Sequence, residues 1–470
     1  MSPLPDLLFR SPAVFPASRR SRVWAVGGLL ASLAAAGPLA SQSPRAQAPP
    51  VLPGAPLTAD TAGLSLDRVF LRLASHNSQL AAARAAVDVA AARVPIATAI
   101  PDPRVQLGAM NRDLPSLRPM ETLGMDQLQV MQMLPLAGKR GNAERVAEAR
   151  VSSARARADA RWWDARRDAA IAFYDLWALE RQLTVTRETQ ALLAQAADAA
   201  AAMYRVGQGR QADVLRAQME ITRMAEDVIR MRSMRATLAA RLGAWLDLDV
   251  DADTLVLRIP RLDSVPDSLA RGATATRPML VAGRHEAVAA AESETLARRE
   301  RWPDLEFGVQ LARRPPSAAP AGMGGSADWM TSAMIGASLP LFGRTGAMRA
   351  EASAMRTMAE ADVRAMEVEG RSLLREATAM LRQSRALRAL YAGTLLPQAI
   401  AARDAATAAY RSGNVDFMTL LEAHMTTNRI RQEGYALRAS EGKAIAELEM
   451  LTGRTLVNAA SRLMIEEELR

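Results

Sequence analysis

From Lys139 to Tyr204 the chain has no proline, and its only glycine, Gly141, stands near the start. An Ala-rich stretch of this kind, dotted with charge, is a helix about 95–100 Å long at 1.5 Å per residue. A second long helical pattern runs up to Tyr410, with Gly346, Gly370, Gly393 and Pro397 as its only expected interruptions. Elements of this length dictate a rod.

Each long pattern opens on the same phrase. LPLAGKR begins at Leu134 and LPLFGRT at Leu339. Both close a run of strand-like alternation, because Pro135 and Pro340 cannot continue a sheet ladder. Gly138 and Gly343 then free the backbone to turn into a helix. These four residues read as strand-to-helix junctions.

The matches continue in order. Leu80, Pro103 and Gly108 correspond to Leu280, Pro303 and Gly308, and Tyr204, Arg205 and Gly207 to Tyr410, Arg411 and Gly413. Leu215, Ala217, Met219 and Arg223 correspond to Leu421, Ala423, Met425 and Arg429. An ordered series of this kind marks an internal duplication. Repeat one covers residues 63–260 and repeat two 261–455, with a tail at 456–470. In each, a shorter helix precedes two strands, a long helix and a further helix. Ser65 caps the first helix, which runs to Thr98 and is ended by Pro95, Pro101 and Pro103. The short helices of a repeat, laid end to end, equal the long one. The chain therefore reverses at YRVGQG and YRSGNV, far from the strands. The fold class is mainly α with a small β part.

The first 48 residues differ. Arg19, Arg20 and Arg22 precede an apolar run to Ala40, and Ala46-Gln47-Ala48 offers a peptidase site. This is a signal peptide, followed by a Pro-rich linker at 49–62. An uncleaved anchor helix is the alternative, disfavoured by Gly27, Gly28 and Pro38. No later stretch reaches the ~20 apolar residues of a membrane helix. The chain has no cysteine, so disulfides are excluded. The formal charge of +9 is spread among acids along helices, which is not a nucleic-acid footprint.

The strands carry polar residues on one face and apolar residues on the other. Val105 and Leu107, Leu128 and Val130, and Leu305, Phe307, Val309 and Leu311 alternate with polar or small neighbours. A membrane barrel turns such an apolar face to lipid and the polar face to water. Four strands cannot close a barrel, since about eight is the minimum. Several protomers must contribute. Trp302, Phe307, Trp329 and Phe342 lie where an aromatic girdle belongs.

Taken together, the repeat, the strand pairs, the P-L-F/A-G-K/R junctions, AFYDLW from Ala172 and the tips YRVGQGRQADVLRAQ and YRSGNVDFMTLLEAH resemble the TolC family of outer-membrane efflux channels. The resemblance spans essentially all of the mature sequence. It implies a homotrimer, with a periplasmic α-barrel of long helical hairpins and four strands per protomer in a shared transmembrane β-barrel. It further implies a passive duct in the outer membrane of a Gram-negative-type bacterium, exporting small molecules or metal ions. Its partners would be a periplasmic adaptor and an inner-membrane pump of the RND type. PLAGKR is similar to the branch associated with heavy-metal pumps.

By the same resemblance, Val206, Gly207, Gln208, Gly209, Ser412, Gly413, Asn414 and Val415 dock the adaptor. From the residues alone they are ordinary helical-hairpin turns. Arg411, Asp416 and Glu422 are candidates for ion pairs closing the entrance, with solvated surface charge as the alternative. His76, His285 and His424 show no metal-ligand spacing, and the 24 methionines read mostly as packing. No nucleophile or phosphate-loop arrangement is present, so neither catalysis nor a cofactor is expected. A soluble periplasmic coiled-coil scaffold is the alternative to the duct.

Overall fold

The computed structural model describes residues 64–113, 115–117, 124–251, 255–260, 262, 273–314, 328–340 and 343–456. The expected signal peptide, the linker, Phe342 and all but the first residue of the 456–470 tail lie outside them. The first repeat runs β1 (Leu64–Ser65), α1 (Leu66–His76), α2 (Ser78–Thr98), β2 (Arg104–Met110), β3 (Met125–Leu134), α3 (Lys139–Arg205) and α4 (Gln211–Leu246). After β4 (Leu257–Arg258), the order returns as α5 (Pro278–Arg299), β5 (Asp304–Arg314), β6 (Asp328–Ser338) and α6 (Arg344–Leu390). A π-turn at Tyr391–Leu395, α7 (Leu396–Arg411) and α8 (Phe417–Thr452) complete it.

Helix α3 is 67 residues long, about 100 Å by its rise, and α2, α4, α5 and α8 all pack against it. The short helices do meet end to end. The C-terminal carbonyls of α4, which have no partner within the helix, are taken up by α1 and the α1–α2 break. Asn77 Nδ2 donates to Trp245 O (2.9 Å) and Arg72 Nε to Leu246 O (3.1 Å). In the second repeat Thr276 Oγ1 donates to the last carbonyl of α8, Thr452 O, at 3.0 Å.

Three helical expectations need correction. The first helix is not continuous. Ser65 caps it as expected, but it stops at Asn77, whose side chain accepts from Leu80 N and starts α2 afresh. Pro95 does not end α2, which runs through it to Thr98. Three residues from the end, proline forfeits one helical bond in a turn that is already fraying. In the second long helix, Gly346 and Gly370 cause no break. Only Pro397 leaves a mark. It has no N–H for a bond back toward Gly393, and the backbone widens into a single π-turn over Tyr391–Leu395.

The main core surrounds the middle of α3. Ala165, Ala169, Ala172, Phe173, Leu176 and Trp177 are buried with Leu73 of α1, Leu242 and Leu246 of α4, Leu374 and Leu381 of α6 and Ile445 and Leu451 of α8. Leu257 of β4 joins them, its strand paired parallel to β1.

The four remaining strands form one antiparallel sheet in the order β2-β3-β5-β6. Its central pairing, β3 with β5, joins the two repeats, with Val130 opposite Val309 and Leu128 opposite Leu311.

Helix α8 contains two glycines in opposite surroundings. A Cβ on Gly442 would lie 2.5 Å from the ring of buried Tyr174, whereas one on Gly434 meets nothing within 4 Å. Helix propensity favours alanine over glycine by about 0.5–1 kcal/mol, but overpacking costs about 1–3 kcal/mol. Thermal unfolding should therefore show Gly434→Ala stabilised and Gly442→Ala destabilised. Equal shifts of the two would mean that Tyr174 does not set the α3–α8 spacing.

Candidate functional site

The two helical tips share one backbone solution. At the first, Gly207 takes φ +77°, Gly207 N donates to Tyr204 O and Gln208 N to Met203 O. At the second, Gly413 takes φ +76°, Gly413 N donates to Tyr410 O and Asn414 N to Ala409 O. Both are Schellman terminations, which need a left-handed residue after the helix. A Cβ on either glycine would meet nothing, so the requirement is conformational and the space outside is open. Val206, Gln208, Ser412 and Asn414 are exposed, while Gly209 and Val415 are half-buried.

The tips lie close together. Leu193, Ala196 and Ala200 of α3, Ala217 and Met224 of α4, Tyr410 of α7, and Phe417, Leu420 and Leu421 of α8 form one small core. The Tyr410 and Phe417 rings meet edge to face, 5.7 Å apart.

The duplication breaks down here. Tyr410 is 8% exposed, Leu421 7%, and Met425 packs on the tip core. Their repeat equivalents Tyr204, Leu215 and Met219 are 47%, 57% and 48% exposed. The first hairpin thus presents outward the residue set that the second buries against it. The sequence showed the matching positions, but their opposite environments depend on which hairpin lies on which side.

Of the gate candidates, Asp416 has a local role. Its carboxylate caps α8, accepting from Thr419 N at 3.0 Å and from the Thr419 hydroxyl. These bonds hold its pKa below the ordinary carboxylate value, with the nearby Arg210 adding to the effect. Arg411 and Glu422 are exposed and, among the described residues, pair with no acid or base of this chain.

At the junctions, Gly138 and Gly343 stand immediately before α3 and α6 with φ +70° and +72°. Pro135 follows β3 and Pro340 follows β6, both outside the strands. The first junction is locked to the second repeat. Lys139 is buried, with Nζ 2.9 Å from Asp304 and 3.2 Å from Glu300, and Arg299 donates to Ala137 O at 3.0 Å.

The sheet has two unlike faces. One carries Val105, Leu107, Val130, Val309, Phe307 and Ile335, with Leu107 83% and Ile335 76% exposed. The other carries the Gln106–Gln129–Gln310–Ser332 row. The better-covered residues of all four strands, among them Gly108, Gln127, Gly308, Ala312 and Met334, belong to this polar face. The sheet is therefore concave on its polar side and convex on its apolar side. Among the described residues no helix is long and apolar enough to cross a membrane.

These features correspond to a known family. The sequence matches the family described as outer membrane efflux protein over residues 71–246 and 269–454. The chain belongs to that family. Several solved structures share the fold. VceC of Vibrio cholerae is 17% identical with a TM-score of 0.68, covering 83% of this chain and 96% of its own. A membrane protein from Pseudomonas aeruginosa is 20% identical, with a TM-score of 0.69 and coverages of 83% and 93%. The CmeC channel of Campylobacter jejuni is 15% identical, with a TM-score of 0.68 and coverages of 86% and 89%. No curated protein matches by sequence. This family member is an outer-membrane efflux channel, with one four-stranded sheet and a set of long helices in the chain.

Two predictions follow from the tip. Asp416→Ala should speed hydrogen exchange in the first turn of α8, while Asp416→Asn, which can still accept from Thr419, should not. No difference between them would remove the capping role. His424 is buried between α7 and α8, and burial, then Arg403, lowers its pKa. The folded tip therefore binds fewer protons than the unfolded chain. Stability should fall as pH drops below the unfolded His value of about 6.5. In melts between pH 7.5 and 5.5, His424→Asn should show a smaller loss than wild type.

Proposed function

We propose that the chain is one protomer of a homotrimeric exit duct that extends from the outer membrane into the periplasm and carries small molecules or metal ions driven by an inner-membrane pump. Export energy would come from a pump of the RND type, reached through a periplasmic adaptor at the helical tips.

The observation that carries this reading is the broken symmetry of the hairpins. In the second repeat Tyr410 and Leu421 are buried, with Met425 packed on the same core, while Tyr204, Leu215 and Met219 stand exposed at equivalent places. A neighbouring protomer that offered its second hairpin to this face would repeat the internal contact and continue the ring. The sheet supports the same closure. β2 and β6 are its edges, each paired on one side only among the described residues. Joining β6 of one protomer to β2 of the next would satisfy both, and a membrane tolerates no open edge. Three copies would give twelve strands, with the convex apolar face toward lipid.

Membrane fractionation tests the duct. A heat-modifiable trimer in the outer membrane that conducts in planar bilayers is expected, and recovery as a soluble periplasmic protein would overturn the reading. Leu215→Asp should weaken the trimer. Gly207→Trp and Gly413→Trp should leave the trimer intact but abolish crosslinking to the adaptor. Unimpaired crosslinking and efflux in the double tryptophan variant would sink the docking assignment.

A further inference from the structure

The four strands of the large sheet contain six methionines: Met110, Met125, Met131, Met133, Met330 and Met334. The pairing register puts all six on the concave polar face and none on the apolar face. Packing does not explain this. A flexible apolar side chain chosen to fill space or meet lipid belongs on the other side.

Three of the methionines, Met131, Met133 and Met334, lie on the helix side of the Gln106–Gln129–Gln310–Ser332 row and three beyond it. Met131 and Met334 flank Gly308 from the two neighbouring strands. The position a Gly308 Cβ would occupy lies 3.4 Å from Met334 Cε and 3.5 Å from Met131 Cγ, so both side chains lean over the glycine. One step nearer α3 on the same face, Met133 stands opposite Glu306. The Glu306 carboxylate lies over Gly336, with Oε2 3.8 Å from that glycine's Cβ position. Three thioethers and one carboxylate thus share a patch two residues deep and three strands wide, about 10 Å across at the usual strand spacing.

We propose that Met131, Met133, Met334 and Glu306 form a weak binding site for a soft monovalent cation such as Ag(I) or Cu(I), on the wall where the duct passes from helices to strands. The proposal rests on the concave face lining the duct. Thioether sulfur is a soft donor that binds Cu(I) and its congeners, and it needs no deprotonation to do so. The carboxylate adds the charge that three neutral sulfurs lack. An apolar organic cargo fits the wall less well. The thioethers at the two ends are separated by the Gln106–Gln129–Gln310–Ser332 row, so there is no continuous apolar track. The far end repeats the chemistry, with Met110 opposite Met125. In a ring of protomers each level would recur around the wall, giving a cation successive weak sites rather than one tight trap.

The test compares the detergent-solubilised wild-type channel with Met131→Leu/Met133→Leu/Met334→Leu and with Glu306→Gln. Leucine keeps apolar volume and removes sulfur. The proteins are dialysed to equilibrium against silver nitrate, and the silver held in excess of the outer solution is measured, with zinc nitrate as the harder control. Conductance is recorded in potassium nitrate, which avoids silver chloride. Wild type should retain silver in preference to zinc, the triple variant should lose that retention while still conducting, and Glu306→Gln should weaken it. Equal silver on wild type and triple variant would overturn the site. So would retention of an apolar dye with no excess silver. Failure of every protein to conduct would instead count against the duct reading.

Discussion

The fold depends on how closely other helices can approach the middle of α3. Between Ala165 and Leu179 this helix is buried almost all round, and alanine supplies much of its surface. Small side chains let neighbours come near, and one of the large ones among them has a matching gap on its neighbour. Tyr174 is buried because Gly442 of α8 leaves room for its ring. A helix apolar on one stripe could not do this, since α3 must serve α1, α2 and α4 from its own repeat and α5 and α8 from the other.

Charge enters the same region in pairs. Glu441 is 1% exposed and lies between Arg385 Nε (2.9 Å) and Arg388 Nε (3.0 Å). Arg166 bonds Glu449 at 3.1 Å while its guanidinium lies 3.6 Å from the centroid of Phe70. Burying ions gains little net stability, but removing one partner costs about 3–5 kcal/mol. These contacts thus penalise sliding. Helices rich in alanine could slip by a turn at small cost, and an α8 shifted along α3 and α6 would strand its carboxylates. Lys139 acts likewise at the sheet, tying the start of α3 to Asp304 at the start of β5.

Much of this was legible in the sequence. Proline-free length fixed α3, alternation exposed the four large strands, and the double phrase placed both junctions. The repeated glycines of the tips correspond to identical Schellman bonds at Gly207 and Gly413. What stayed hidden needed partners distant in sequence. Asn77 looks like any polar residue of an amphipathic run until Trp245 O is seen beside it. The β1–β4 pair is two residues long on each side, too short for periodicity to register. Along the sequence the methionines look like packing, and only the strand register shows that the six in the sheet all avoid the apolar face.

Duplication alone predicts two equal hairpins, and the departure from equality is the informative part. Tyr204 and Tyr410 occupy the same place in the same turn, yet one ring is half in solvent and the other is shut against Phe417. An isolated chain with two like hairpins side by side has one inner and one outer face by necessity. Had the chain evolved to stand alone, the outer copy would be free to become polar. Here it has kept Tyr204, Leu215 and Met219. Retaining three apolar side chains on a solvent face is unfavourable unless another surface covers them. The internal contact already displays the complementary surface, on the second hairpin of the same chain. In the proposed trimer, the contact that joins the two repeats would therefore also be the template for the contact between protomers.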